Sequence, residues 1–145
     1  MSMSTPATHD DVNLILRLYE MRREDRMREA RTWFRMHFRP KTVEELNTLC
    51  PPGSKENDFF RQVVSYWEMV ASFINAGVLG QDLFFETGQE LLLAYVRVKP
   101  VLGPAREVFK NPKLFANLEG VGEQFIAWWE QRAPGAHAAF VARMG

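Results

Sequence analysis

The chain has 145 residues, of which 46% are hydrophobic and 25% charged, a composition typical of one globular domain with a sizeable core. Its 18 basic and 18 acidic residues cancel, so the net charge gives no reason to expect nucleic acid or an anionic membrane as partner. Cys50 is the only cysteine, which excludes an intrachain disulfide, and no apolar run is long enough for a membrane span. We therefore predict a cytoplasmic protein without a transmembrane helix.

The first predicted element is a long helix. Thr8 and Asp11 have the spacing of a capping box, and neither glycine nor proline follows until Pro40. This pattern predicts a disordered N-terminus at residues 1–7 and then an uninterrupted helix of about thirty residues. Its apolar residues share one stripe with a period of 3.6 residues. The stripe consists of Val12, Ile15, Leu16, Tyr19, Met27, Ala30, Trp33, Phe34 and His37.

Two further helices follow, with clear start and stop signals. Thr42-Val43-Glu44-Glu45 is a second capping box, and Pro51-Pro52-Gly53 ends the short helix that it begins. Ser54 is the expected cap of a third helix that runs to Ala76, with Gly77 at its C-terminus. Because most sides of this helix are apolar, we predict that it is the central one.

The second half of the chain also has helical patterns. Pro100 and Pro104 are expected to kink or break a helix that is apolar on nearly all sides. Pro112 is expected at the first position of the next helix, and Gly120 and Gly122 are candidate points of division within it. We predict an all-α fold in which residues 8–145 form a single-domain bundle of about five to seven helices.

No residue pattern indicates catalysis, a metal or a cofactor. His9, His37 and His137 are scattered and lack a second ligand at the spacing that places two on one helical face. Cys50 follows a short helix, whereas a reactive thiolate is favoured at a helix N-terminus. Gly120-Val121-Gly122 lacks the third glycine and the strand of a dinucleotide-binding turn. We therefore predict a non-catalytic protein with no cofactor.

The long first helix suggests self-association. A helix of about thirty residues spans about 45 Å, whereas a body of about 100 residues is about 30 Å across. The helix should therefore project unless a second subunit covers it, which favours a homodimer or a protein partner. Nucleic acid is an unlikely partner because acidic residues in the same segment pair with its arginines. The predicted interface consists of Arg23, Arg26, Trp33 and Phe34.

An apolar ligand site is the alternative hypothesis. Aromatic residues of the third helix and of two later helices are placed to surround a cavity between helices, although at helical spacing such residues are more often core. An enclosed cavity with a few polar groups would favour the ligand site over the core. The predicted lining consists of Tyr66, Trp67, Tyr95, Phe125 and Trp129.

Five short segments of packing and turn residues stand out in the second half of the chain. They are Tyr66-Trp67-Glu68, Gly77-Val78-Leu79, Asp82-Leu83-Phe84-Phe85, Trp128-Trp129-Glu130-Gln131-Arg132 and Phe140-Val141. Over about residues 59–142 this pattern resembles a family of uncharacterised bacterial helical domains. The resemblance implies a helical fold but no activity or site residues. Many members of that family carry an N-terminal transmembrane helix, from which this polar N-terminus departs.

Overall fold

A computed structural model describes residues 6–144, and within this range the chain forms eight helices and no strand. The predicted all-α fold is confirmed, with one helix more than the upper limit expected. Of the N-terminal residues predicted to be disordered, 1–7, residues 1–5 lie outside the described range. The helices are α1 (His9–Met21), α2 (Asp25–His37), α3 (Val43–Leu49), α4 (Lys55–Asn75), α5 (Gln81–Thr87), α6 (Gln89–Val108), α7 (Ala116–Arg132) and α8 (Ala136–Met144).

The predicted helix starts at Thr8, Thr42 and Ser54 are confirmed. Each side chain accepts a hydrogen bond from the backbone N–H three residues later, which satisfies a group that has no partner within its helix. At Thr8 the cap is reciprocal, because the Asp11 carboxylate accepts the Thr8 N–H at 2.9 Å. These local signals fix the beginnings of α1, α3 and α4.

The prediction of one long N-terminal helix is wrong at its centre, because α1 ends at Met21 and α2 begins at Asp25. Glu24 has an extended ψ of 145°, and its carboxylate caps α2 by accepting the Met27 N–H at 3.1 Å. No thirty-residue helix that could project beyond the body is therefore present within residues 6–144.

The prolines and glycines of the second half do not divide its helices. Pro100 and Pro104 both lie inside α6, and Gly120 and Gly122 lie inside an uninterrupted α7. Pro112 does not begin a helix either. The α7 helix begins later, at Ala116, where a carboxylate from α4 replaces the missing local cap.

That carboxylate belongs to Glu68. It accepts hydrogen bonds from the Leu118 N–H at 2.8 Å and from the Asn117 side chain at 2.9 Å. A negative charge at this position also interacts favourably with the positive end of the helix dipole. Phe115, immediately before α7, has a left-handed backbone with φ of 54°, which turns the chain into the helix.

The core is centred on α4, which packs against α2, α6 and α7. This confirms that the third predicted helix is the central one. The inward side chains of α4 are almost completely removed from water. The buried side chains of α6 are spread around much of the circumference of α6. Burial of these apolar surfaces is the main force that holds the bundle together. The buried residues of α4 are Val63, Val64, Tyr66, Trp67, Val70, Ala71 and Ile74.

Arg97 of α6 is buried at the C-terminal ends of α2 and α8. Burial, followed by the nearby Arg39, lowers the pKa of its guanidinium. Within residues 6–144 no carboxylate lies within ion-pair distance of it. The partial negative charge at the two helix ends takes that role. The accepting carbonyls, at 3.0–3.2 Å, belong to Phe34, Arg35, Phe38 and Met144.

Candidate self-association site

Helix α1 is attached to the body by few side chains. Of its 13 residues only Asp11 and Leu18 are buried. The Asp11 carboxylate accepts the Gly80 N–H at 2.8 Å and so connects the start of α1 to the start of α5. Further along α1, the main-chain carbonyl of Leu18 accepts a hydrogen bond from the buried hydroxyl of Tyr66. Leu14 and Ile15 are partly buried and also pack against the core, so α1 is attached by two polar contacts and one apolar side.

A charged cluster lies beneath the junction of α1 and α2. Arg31 binds both carboxylate oxygens of Glu90, at 2.6 and 2.8 Å, and Arg22 approaches the same carboxylate at 3.5 Å. The hydrogen bond to Glu90 raises the pKa of Arg31. Arg31 also donates to the main-chain carbonyl of Arg22 at 2.7 Å. Glu90 on α6 therefore holds both sides of the bend.

Sequence reasoning did not find this cluster. The sequence pattern singled out Arg23 and Arg26, whereas Arg22 and Arg31 make the contacts with Glu90. Glu90 is 59 residues from Arg31 in the chain. No local spacing indicates a partner at such a distance.

The backbone at the bend departs little from a helix. Arg22 has right-handed helical angles, with φ of −80° and ψ of −3°, and its N–H still donates to Leu18 at 3.3 Å. The N–H groups of Arg23 and Glu24 donate three residues back, to Glu20 and Met21. The extended ψ of Glu24 then turns the chain into α2. A helical path is thus followed up to the residue that caps α2.

The outer side of α1 carries an exposed apolar stripe, formed by Val12, Leu16 and Tyr19. These side chains are 44%, 55% and 46% exposed. Their spacing of four and then three residues places them on one face of the helix. The sequence pattern had assigned them to the same core stripe as Met27 and Ala30, which are indeed buried. The stripe is exposed on α1 and buried on α2 because the bend changes the direction of the chain between the two helices.

The four residues of the predicted interface do not form one surface. Arg23 and Arg26 are exposed near the bend, while Phe34 is 1% exposed and stacks on Phe38 with ring centroids 4.6 Å apart. Phe34 is therefore a core residue of this chain, a correction to the prediction. Trp33 is half-buried and lines an open surface depression of about 520 Å³.

The predicted ligand-binding residues belong to a packed aromatic core. Tyr95 lies against Gly122, and its hydroxyl donates to Glu123, which lowers the pKa of that carboxyl. A space of about 20 Å³ adjoins Trp67, enough for about one water molecule. Whether a ligand binds here stays a prediction. The other four rings are joined by contacts at 4.2–6.4 Å that run through Tyr66, Trp67, Phe84, Phe85, Phe125 and Trp129.

Cys50 is buried and forms no disulfide. Burial raises the pKa of the Cys50 thiol to about 11, with a smaller contribution from Glu56. Among residues 6–144, no three His, Cys, Asp or Glu side chains converge in a way that would hold a metal ion. None of the helices in this range has an apolar stretch long enough to cross a bilayer.

Comparison with known proteins gives one match. The profile of a family described as a domain of unknown function, DUF4760, matches residues 7–125. Neither the curated proteins nor the solved structures contain a significant match. The matched range includes α1 to α3, which the sequence resemblance had left out, and it ends before the Trp128-Trp129 pair. Since the match covers most of the chain and agrees with the resemblance seen in the sequence, the chain belongs to the DUF4760 family of uncharacterised helical domains.

Proposed function

We propose that this domain is a non-catalytic helical interaction module that associates with a second copy of itself through α1. The observation that supports this proposal is the apolar stripe of Val12, Leu16 and Tyr19 on a helix that buries little of its own surface. Single exposed hydrophobic residues are ordinary on protein surfaces. Three on one helical face form the pattern by which amphipathic helices bind partners.

A second copy fits this stripe because the stripe is self-complementary. Two α1 helices that pair in opposite directions would place Leu16 at the two-fold axis and Val12 opposite Tyr19 of the other copy. Such isologous pairing is the commonest arrangement in homodimers. The antiparallel direction also brings the positive end of each helix dipole close to the negative end of the other.

The proposed setting is cytoplasmic, as predicted from the sequence. The single cysteine is buried and its thiol pKa is raised, so the fold does not depend on an oxidising compartment. The proposal assigns no activity to the domain.

Sedimentation velocity from low to high micromolar concentration tests the proposal. We expect the wild type to form dimers as the concentration rises and Leu16→Glu to stay monomeric, because a carboxylate in the stripe would be desolvated without a partner. Met36→Glu is the matched control, since Met36 is similarly exposed at 58% but lies on α2. A wild type that is monomeric at every concentration, or equal weakening by both variants, would contradict the proposal.

A further inference from the structure

We infer that one water molecule is bound between Trp67 of α4 and Glu90 of α6, beneath the bend that separates α1 from α2. The water accepts a hydrogen bond from the indole N–H and donates one to the carboxylate. The site is separate from the apolar stripe on α1, so it does not depend on self-association. Buried waters are part of the structure of many proteins, where they bind polar groups that have no partner in the chain.

The indole N–H of Trp67 is a buried donor that has no acceptor in the described part of the chain. Trp67 is 1% exposed, and its Nε1 atom is inaccessible to solvent. An indole nitrogen can only donate, so an acceptor beside the ring is the one kind of group that satisfies it. Most buried polar atoms in native proteins have a partner, either in the chain or in ordered water. We therefore expect an acceptor next to this N–H.

A small cavity between α2, α4 and α6 adjoins the Trp67 ring. Its volume is about 20 Å³, whereas one water molecule needs about 10–15 Å³. The cavity is therefore large enough for one water and too small for a larger ligand. Entirely apolar cavities stay dry, but Glu90, Arg31 and Arg35 contribute to this lining beside the apolar side chains. The site thus has both the volume and the polar groups that a bound water requires.

The Glu90 carboxylate can accept one more hydrogen bond than the arginines supply. A carboxylate has about four acceptor positions, two on each oxygen. Arg31 donates to Oε1 at 2.6 Å and to Oε2 at 2.8 Å, and Arg22 approaches Oε2 at 3.5 Å. Three positions are thus in use, and the fourth is on Oε1. A water that accepts the Trp67 N–H donates one of its own hydrogens to this oxygen.

The bound water connects the central helix to the carboxylate that holds the bend. Arg22 and Arg31 connect Glu90 to the two sides of the bend, and the water connects the same carboxylate to α4. The Cζ atom of Arg22 lies 5.3 Å from the centroid of the Trp67 ring, so ring, guanidinium and carboxylate are neighbours. The polar groups beneath the bend therefore form one hydrogen-bonded network that includes α4.

Overhauser spectroscopy between water and the isotope-labelled full chain tests the site. The indole N–H signal of Trp67 is assigned by its loss in Trp67→Phe, which keeps an aromatic ring at this position. A bound water gives a cross-peak between this N–H and water, with a rotating-frame sign opposite to that of chemical exchange. We expect this cross-peak for Trp67. The backbone N–H groups of Val70 and Ala71 are the control and should give none, because these residues are buried in the same helix but do not line the cavity.

Guanidinium protons are the other source of such a cross-peak, because Arg31 lines the same cavity. Their contribution depends on exchange with solvent and weakens as the pH is lowered from neutral to mildly acidic, whereas contact with a bound water does not. A cross-peak that persists supports the site, and one that is absent or disappears on acidification overturns it. A high-resolution crystal structure is the second measurement. Ordered density within hydrogen-bond distance of Trp67 Nε1 and the Glu90 carboxylate supports the site, and well-ordered side chains without such density contradict it.

Discussion

Replacement of Gly122 by alanine tests how closely α6 and α7 approach each other. An added Cβ would lie 2.3 Å from Cδ2 and 2.5 Å from Cγ of Tyr95, whereas carbon atoms in good contact are about 3.5–4.0 Å apart. Tyr95 is 1% exposed and its hydroxyl is bonded to Glu123, and close-packed interiors leave little room for such a ring to shift. Overpacking of this kind costs about 1–3 kcal/mol.

A matched control is present two residues earlier in the same helix. A Cβ on Gly120 meets no atom within 4 Å, so Gly120→Ala introduces no clash. Alanine in a helix interior is favoured over glycine by about 0.5–1 kcal/mol. We therefore expect Gly120→Ala to stabilise the fold by about that amount, whereas Gly122→Ala gains the same term but loses more through the clash with Tyr95.

Urea denaturation followed by circular dichroism measures both variants. We expect the free energy of unfolding of Gly122→Ala to fall below that of the wild type by about 1–2 kcal/mol, the net of the overpacking and propensity terms. In a domain of this size that change lowers the melting temperature by about 3–8 °C. If Gly122→Ala were as stable as Gly120→Ala, the close approach of Tyr95 to α7 would not constrain the fold, and the reasoning would be refuted.

Three further predictions concern polar groups in the fold. Arg97→Met should destabilise the domain by about 2–4 kcal/mol in urea denaturation, because several buried carbonyls lose their donor at about 1–3 kcal/mol each; an unchanged midpoint would contradict this. The native Cys50 thiol should react with a thiol reagent at pH 8 about a hundredfold more slowly than in denaturant, since its pKa is raised from 9.0 to about 11; equal rates would contradict burial. The backbone hydrogen bonds from Gly80 and Thr8 lower the pKa of Asp11. The ionised Asp11 carboxylate therefore stabilises the fold above pH 3.8, the pKa of a free carboxyl, and this stabilisation is lost as the pH falls through the lowered pKa. Asp11→Asn should therefore be less stable than the wild type at pH 7, and the difference in unfolding free energy should shrink in acid; a difference that does not depend on pH would contradict the assignment.

The helix starts could be predicted from sequence wherever the signal was local. The cap of Thr8 depends on Asp11, and that of Ser54 depends on the N–H of Asn57, both within three residues. The start of α7 could not be predicted in this way, because its cap is supplied by Glu68, 50 residues before Leu118 in the chain. Pro112 gave a signal typical of a first helical position, and tertiary contacts overrode it.

The exposure of the apolar stripe on α1 could not be predicted for the same reason, because it depends on a contact distant in the chain. A period of 3.6 residues shows that Val12, Leu16 and Tyr19 share a face, but it does not show whether that face meets the core. The answer depends on the bend, which depends on Glu90 in another helix. The predicted first helix spans both the exposed stripe and the arginines that bind Glu90, but the residues predicted for its interface include none of these.

The predicted straight helix and the observed bend differ by a small balance of interactions. The bent form gains the Glu24 cap, about 1 kcal/mol, and a charged hydrogen bond from Arg31 to the Arg22 carbonyl, about 1.5–3 kcal/mol. A straight helix would give carbonyl partners to the first three N–H groups of α2, at about 1 kcal/mol each. These totals are close enough for other contacts to decide the form. The approach of Arg22 to Glu90 at 3.5 Å adds to the bent form, so a carboxylate of another helix decides where α1 ends.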